Sequence, residues 1–221
     1  MIARRAVLGG GLGGALALML PGVARAAVQT MPALHQLRFD VWRGSRQLGT
    51  HELVFQPRPD GFVVDVAVDI AFRVGPITLY RYNHHAQERW ANGQVAELST
   101  RTDDNGTAHH VTGRRENTGL VIQADRAAPY TAPADALPAT HWNHRELDGP
   151  WINTQSGELI HPRVTPEAPA LVETANAGRL RVHRYALSGP VTLDLWYDDA
   201  LNWAGLSFVK GGAEVRYARR A

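Results

Sequence analysis

Phe62-Val63-Val64-Asp65-Val66-Ala67-Val68-Asp69-Ile70-Ala71-Phe72-Arg73-Val74 decides the fold. Phe62, Val64, Val66, Val68, Ile70, Phe72 and Val74 recur at every second position with Asp65, Asp69 and Arg73 between them, a period that builds a strand with one buried and one wet face. Such alternation belongs to antiparallel sheets. Upstream, Leu37, Phe39 and Val41 alternate with Arg38 and Asp40, and Arg43-Gly44-Ser45-Arg46 reads as a turn. His51, Leu53 and Phe55 then continue a second strand to a turn at Pro57–Gly61. Downstream, Gly75-Pro76, Asn92-Gly93, Asp104-Asn105-Gly106 and Asn117-Thr118-Gly119 punctuate short hairpins. This part of the chain reads as a meander of about seven strands.

Between Arg126 and Pro169 the alternation fails. Pro129, Pro133, Pro138, Pro150, Pro162, Pro166 and Pro169 argue against a long regular element there. The stretch has room for one short helix around Pro138–Leu147 and a brief hairpin across Ile152–Ile160, turning at Ser156-Gly157. Irregular segments on a rigid scaffold are where binding surfaces tend to lie. Four more strands follow, at Leu180–Leu187, Val191–Tyr197, Trp203–Val209 and Ala213–Tyr217. The expected architecture is all-β: a curved antiparallel meander of about eleven strands forming a barrel or half-barrel. The irregular segment would cross one end or fill the concave face; a two-sheet sandwich is the alternative.

Residues 1–26 carry an address. Arg4-Arg5, an apolar glycine-rich run from Ala6 to Leu20, then Pro21 and Ala24-Arg25-Ala26 read as an export signal cut after Ala26. The apolar run is shorter than the ~20 residues a membrane span needs, and the arginine pair before Ala6-Val7-Leu8 resembles a twin-arginine signal. The expectation is a bacterial protein, periplasmic or secreted, with one β domain over 27–221 and no membrane span in the mature chain. Removing 26 of 221 residues leaves 195, suited to one domain with a sizeable core. Arg4, Arg5 and Arg25 leave with the signal, so 20 basic residues face 21 acidic ones. With no basic run interleaved with aromatics, nucleic-acid binding is excluded as a reading. The absence of cysteine removes disulfides, thiolate ligands and a cysteine nucleophile. The chain also lacks a G-x-S-x-G elbow, a glycine-rich phosphate loop and an H-E-x-x-H helix.

The strand Thr78–Trp90 carries the unusual chemistry. Its even positions are Thr78, Tyr80, Tyr82, His84, Ala86, Glu88 and Trp90, while Arg81, Asn83, His85, Gln87 and Arg89 make the odd face wet. With the even face inward, amphipathic aromatics stand beside a few polar groups, the composition of a small-molecule pocket. His51 joins this face by parity. Trp142 and Asn143, in the string His141-Trp142-Asn143-His144, could close over it; on one helical turn His141 and His144 would share a face. A competing arrangement converges His51, His84 and His109 on a metal ion, with Glu88 as base on bound water. Asp103-Asp104-Asn105-Gly106 lacks the later carboxylates of a calcium loop and reads as a hairpin turn.

Leu48-Gly49-Thr50-His51, Gly75-Pro76-Ile77-Thr78-Leu79-Tyr80-Arg81-Tyr82, Glu88-Arg89-Trp90, Thr140-His141-Trp142-Asn143 and Leu195-Trp196-Tyr197-Asp198 together resemble a family of uncharacterised exported bacterial proteins, a domain of unknown function. The resemblance spans nearly the whole chain after the signal and implies no catalytic role. The layout is also similar, more faintly, to periplasmic carriers that shelter a lipid chain in a curved antiparallel sheet. The sequence reading is therefore a non-enzymatic binding module for a small apolar or amphipathic ligand, using Tyr80, Tyr82, His84, Glu88, Trp90, His51, Trp142 and Asn143. No cofactor is called for. The alternatives are a histidine-dependent hydrolase or metalloprotein built on His51, His84, Glu88 and His144, and an envelope scaffold or interaction protein.

Overall fold

The computed structural model describes residues 29–220; the export signal read at residues 1–26 lies outside them. Seven strands open the described chain: β1 (Gln36–Arg43), β2 (Arg46–Arg58), β3 (Gly61–Val74), β4 (Ile77–Ala91), β5 (Gln94–Asp104), β6 (Thr107–Glu116) and β7 (Gly119–Ala124). Each pairs antiparallel with the next, as the alternation requires. An eighth strand, β8 (Ala127–Ala132), extends them. After an irregular stretch come β12 (Arg163–Glu173), β13 (Arg179–Ser188), β14 (Leu193–Tyr197), β15 (Trp203–Lys210) and β16 (Ala213–Arg219). The two runs join where β16 pairs antiparallel with β1, Tyr217 opposite Val41. The result is one open 13-stranded sheet in the order β12-β13-β14-β15-β16-β1-β2-β3-β4-β5-β6-β7-β8.

The described residues form sixteen strands against the expected eleven: three lie in a small separate sheet, and the main sheet exceeds the expectation by two, β8 and β12, both in or beside the proline-rich region. Pro129 lies in β8, and Pro166 and Pro169 lie in β12. Both strands are sheet edges, where a residue without an N–H can face away from the ladder. The register shifts between Glu167 and Ala170, so Pro169 falls at a bulge. Proline here marks the edge of the sheet rather than its absence, and it blunts both edges against pairing with another chain.

The segment between those edges packs on the concave face. It holds a small three-stranded sheet of β9 (Leu137–Pro138), β10 (Trp151–Ile152) and β11 (Leu159–Ile160), the last two forming the expected hairpin. The helix expected around 138–147 is a single 3-10 turn, His144–Asp148, and Asn143 opens it by accepting a hydrogen bond from the Arg145 amide, 3.2 Å. Trp142 packs edge-on against Phe55, Phe62 and Trp90, with ring centroids 5.3–5.7 Å apart. Trp90, Trp151, Trp203 and Tyr197 are fully buried in the same core. Each such ring removes ~150–250 Å² from water, so aromatic burial supplies the stability that disulfides would otherwise give. Among the described residues no helix is long and apolar enough to cross a membrane.

Candidate functional site

Strand register lays the concave face out in rows. Phe39, His51, Val68, His84, Thr102 and His109 stand opposite one another across β1 to β6. A second row runs Phe55, Val64, Glu88, Leu98 and Gly113. His84 and Glu88 share the inward face, as parity predicts, but four residues along a strand put the two rows ~14 Å apart. The face is thus graded along β4: Tyr80 and Tyr82 at an open end, His84 in the middle, Glu88 and Trp90 at a packed base.

The base is a closed hydrogen-bond network. Glu88 Oε2 accepts from the indoles of Trp90, 2.7 Å, and Trp142, 3.1 Å, and Oε1 accepts from the Thr140 hydroxyl. Complete burial pushes the Glu88 carboxyl up to about 7 even though these three donors favour its charged form; Glu146 nearby adds to the rise. Glu88, Trp90 and Trp142 therefore answer one another, and Asn143 serves as a helix cap.

The open end is a cleft of about 520 Å³. Leu48, Ile70, Phe72, Phe208 and Val215 give it an apolar lining, and Tyr80, Tyr82 and Tyr217 add amphipathic rings. Arg43 and Lys210, the only lysine of the chain, stand at its rim. The Tyr82 hydroxyl donates to Gln155 Oε1, 3.2 Å, Gln155 donates to Asp104, 3.2 Å, and Tyr80 donates to the same carboxylate, 2.9 Å. Burial, then the Asp104 hydrogen bond, raises the Tyr80 phenol to about 12; Tyr82 rises too, chiefly by burial. Both stay protonated donors at any physiological pH.

Behind the cleft lies a chamber of about 130 Å³ lined by His51, His84, His141, Thr140 and Thr154, with Tyr82 and Tyr217 shared between the two spaces. His141 Nδ1 stands 2.9 Å from Glu146 Oε1, a buried carboxylate that also accepts from the Tyr197 hydroxyl, 3.0 Å. His84 Nδ1 is 2.8 Å from Thr102 Oγ1. His51 is 6% exposed, and both of its ring nitrogens are buried without a partner. Leaving such a group unpaired costs about 1–3 kcal/mol. Burial, then the proximity of His141 and His84, holds His51 well below the ordinary imidazole range, and burial takes His84 down to about 4.

The structure brings His51, Tyr80, Tyr82 and His84 to the cleft and chamber, and sets Glu88, Trp90, Trp142 and Asn143 apart in the packed base. The cluster of His51, His84 and His109 does not assemble: successive members lie two strands apart, ~9–10 Å across the sheet, and among the described residues no three His, Asp or Glu side chains group as metal ligands would. Glu88, two inward rows away, is out of reach of His51 and His84. His141 and His144 do not share a helical face, because His141 precedes the 3-10 turn with a φ of 68°. His144 turns instead to the Tyr185 hydroxyl, 3.1 Å, and the Tyr197 ring. His141 is the chamber residue that the parity argument misses, since it enters from the irregular segment. Phe208, Val215 and Tyr217 were missed because nothing in the sequence signals that β16 pairs with β1.

The chain belongs to the family described as a domain of unknown function, DUF6134, whose family model matches residues 39–220. Among solved structures it is similar to the crystal structure of a β-barrel-like protein of the domain of unknown function DUF1849 from Brucella abortus, with a TM-score of 0.59 and 8% identity over 88% of this chain and 98% of that one. At that identity the likeness shows the fold alone. No curated protein matches the chain.

Proposed function

We propose that this chain is an exported, non-enzymatic binding module that holds an apolar or amphipathic ligand in the cleft at the open end of its curved sheet. The observation that carries the reading is the cleft itself: about 520 Å³ of largely apolar space. That is the size and lining of a small-molecule site, with a few polar groups to orient the occupant. Tyr80, Tyr82, His51 and His84 face the ligand, while Glu88, Trp90, Trp142 and Asn143 hold the scaffold beneath. The signal-like residues 1–26 support a place in the bacterial periplasm or outside the cell.

Native mass spectrometry of protein purified gently from its own envelope, with lipid extraction of the same sample, tests this reading. A bound mass that extracts as lipid supports it. In vitro, the protein takes up a fluorescent fatty-acid probe, and Ile70→Glu lowers that affinity at least tenfold while leaving the far-UV spectrum unchanged; uptake unaffected by Ile70→Glu refutes the cleft assignment.

A histidine-dependent hydrolase is the second reading, favoured by the His141–Glu146 pair, in which a buried carboxylate orients an imidazole as it would a general base. It requires ester or amide hydrolysis that His141→Ala abolishes. A broad substrate panel that is not hydrolysed removes it.

A further inference from the structure

We propose that the chamber bounded by His51, His84 and His141 receives the hydroxyl end of an uncharged amphiphile whose apolar chain lies in the cleft beyond Tyr82 and Tyr217. This rests on the binding reading above and extends it from a cleft to an oriented ligand.

Three observations lead here. His51 is buried with neither ring nitrogen satisfied, although it lines an open space. Buried polar groups in native proteins have partners, so an orphan at a cavity wall marks where a partner docks. The chamber also meets the cleft at Tyr82 and Tyr217, which line both. A molecule seated in the apolar cleft therefore has a polar place for its end in the chamber, distinct from the charged rim of Arg43 and Lys210. Finally, the other two histidines are already oriented, His84 Nδ1 by Thr102 and His141 Nδ1 by Glu146.

The chemistry of the wall selects the end group. A neutral imidazole offers one donor and one acceptor. With its Nδ1–H given to Glu146, neutral His141 presents Nε2 as an acceptor, while the unpaired N–H of His51 presents a donor. A hydroxyl both accepts and donates, so it answers the two together. A carboxylate only accepts and would bring a second negative charge into a buried space near Glu146. An ammonium only donates, so it leaves the His51 N–H without an acceptor. The depressed pKa values of His51 and His84 agree with these two rings staying uncharged at neutral pH.

The test compares decanol with its methyl ether, which keeps the decyl chain and the acceptor oxygen, caps the oxygen with one methyl group and lacks the donor, by displacement of the uncharged fluorescent probe N-phenyl-1-naphthylamine. The wild-type protein is expected to bind decanol at least tenfold more tightly, and His51→Phe, which fills the same space without polar atoms, is expected to erase the preference. Equal binding of the two by wild-type protein overturns the chamber assignment and leaves the cleft standing. A preference that survives in His51→Phe also overturns it. If neither compound nor the probe binds, the cleft reading fails as well. The wild-type comparison needs no variant, so a folding defect in His51→Phe does not decide the outcome.

Discussion

Glu88→Gln should make the protein more stable at pH 8 and leave it nearly unchanged at pH 4. Glu88 is fully buried, and its carboxyl stands at about 7 instead of 4.5. The native state therefore holds a proton that the unfolded chain releases between those values. Native protein binds more protons than unfolded protein across that window, so stability is full below pH 4.5 and falls as pH rises through about 7. The displacement corresponds to on the order of 3 kcal/mol. Glutamine mimics the protonated acid: Oε1 takes the two indole N–H groups, and the amide N–H₂ turns to the Thr140 hydroxyl, which can accept as well as donate. The assay is urea unfolding followed by tryptophan fluorescence at a series of pH values, reading the difference between variant and wild type so that other titrating groups cancel. At pH 8 the variant's midpoint is expected about 1 M higher in urea. A variant less stable than wild type at pH 8 refutes the reasoning, because it would mean that the charge-assisted bonds from Trp90, Trp142 and Thr140 outweigh desolvation.

Trp142→Ala empties the contact with Phe55, Phe62 and Trp90 and removes one donor from Glu88. It should cost about 3–5 kcal/mol, and limited proteolysis should then cut first between β8 and β12; unchanged protection there would show that Trp142 does not pin the segment. Gly205→Ala should destabilise by at least ~2 kcal/mol: Gly205 has a φ of 149°, and a methyl group there presses on the Tyr217 carbonyl and stands 2.9 Å from the Trp196 ring. Its unfolding midpoint reports this directly. Asp198 accepts from the amides of Ala200 and Asn202 and from Arg219, 2.9–3.0 Å. Burial opposes its charge, yet Arg219 and Asn202 win and hold its carboxyl below the ordinary 3.8. Asp198→Asn should therefore cost about 1 kcal/mol at pH 7. That cost should shrink as pH falls below 3.8, since a depressed carboxyl loses its contribution on protonation; a gap that persists in acid would assign the effect to shape instead.

The alternation of Phe62–Val74 and its neighbours determined the class of the fold, the seven-strand opening meander, and which side chains of β4 face inward. Parity is a local property of a pleated backbone, so sequence alone carries it. Sequence also located the irregular segment and its short hairpin. It misread the prolines of β8 and β12, because whether a strand sits at an edge depends on which neighbours it lacks. Above all it could say that His51, His84 and Glu88 share a face, but not how far apart they stand. Register, at ~3.4 Å along a strand and ~4.8 Å between strands, separates Glu88 into a packed network and leaves His51 and His84 at a chamber. His141 reaches that chamber from the irregular segment, and Tyr217 reaches it through the pairing of β16 with β1. Those are contacts between residues remote in the chain, formed when the sheet curves and the segment folds into it, and only the tertiary structure decides them.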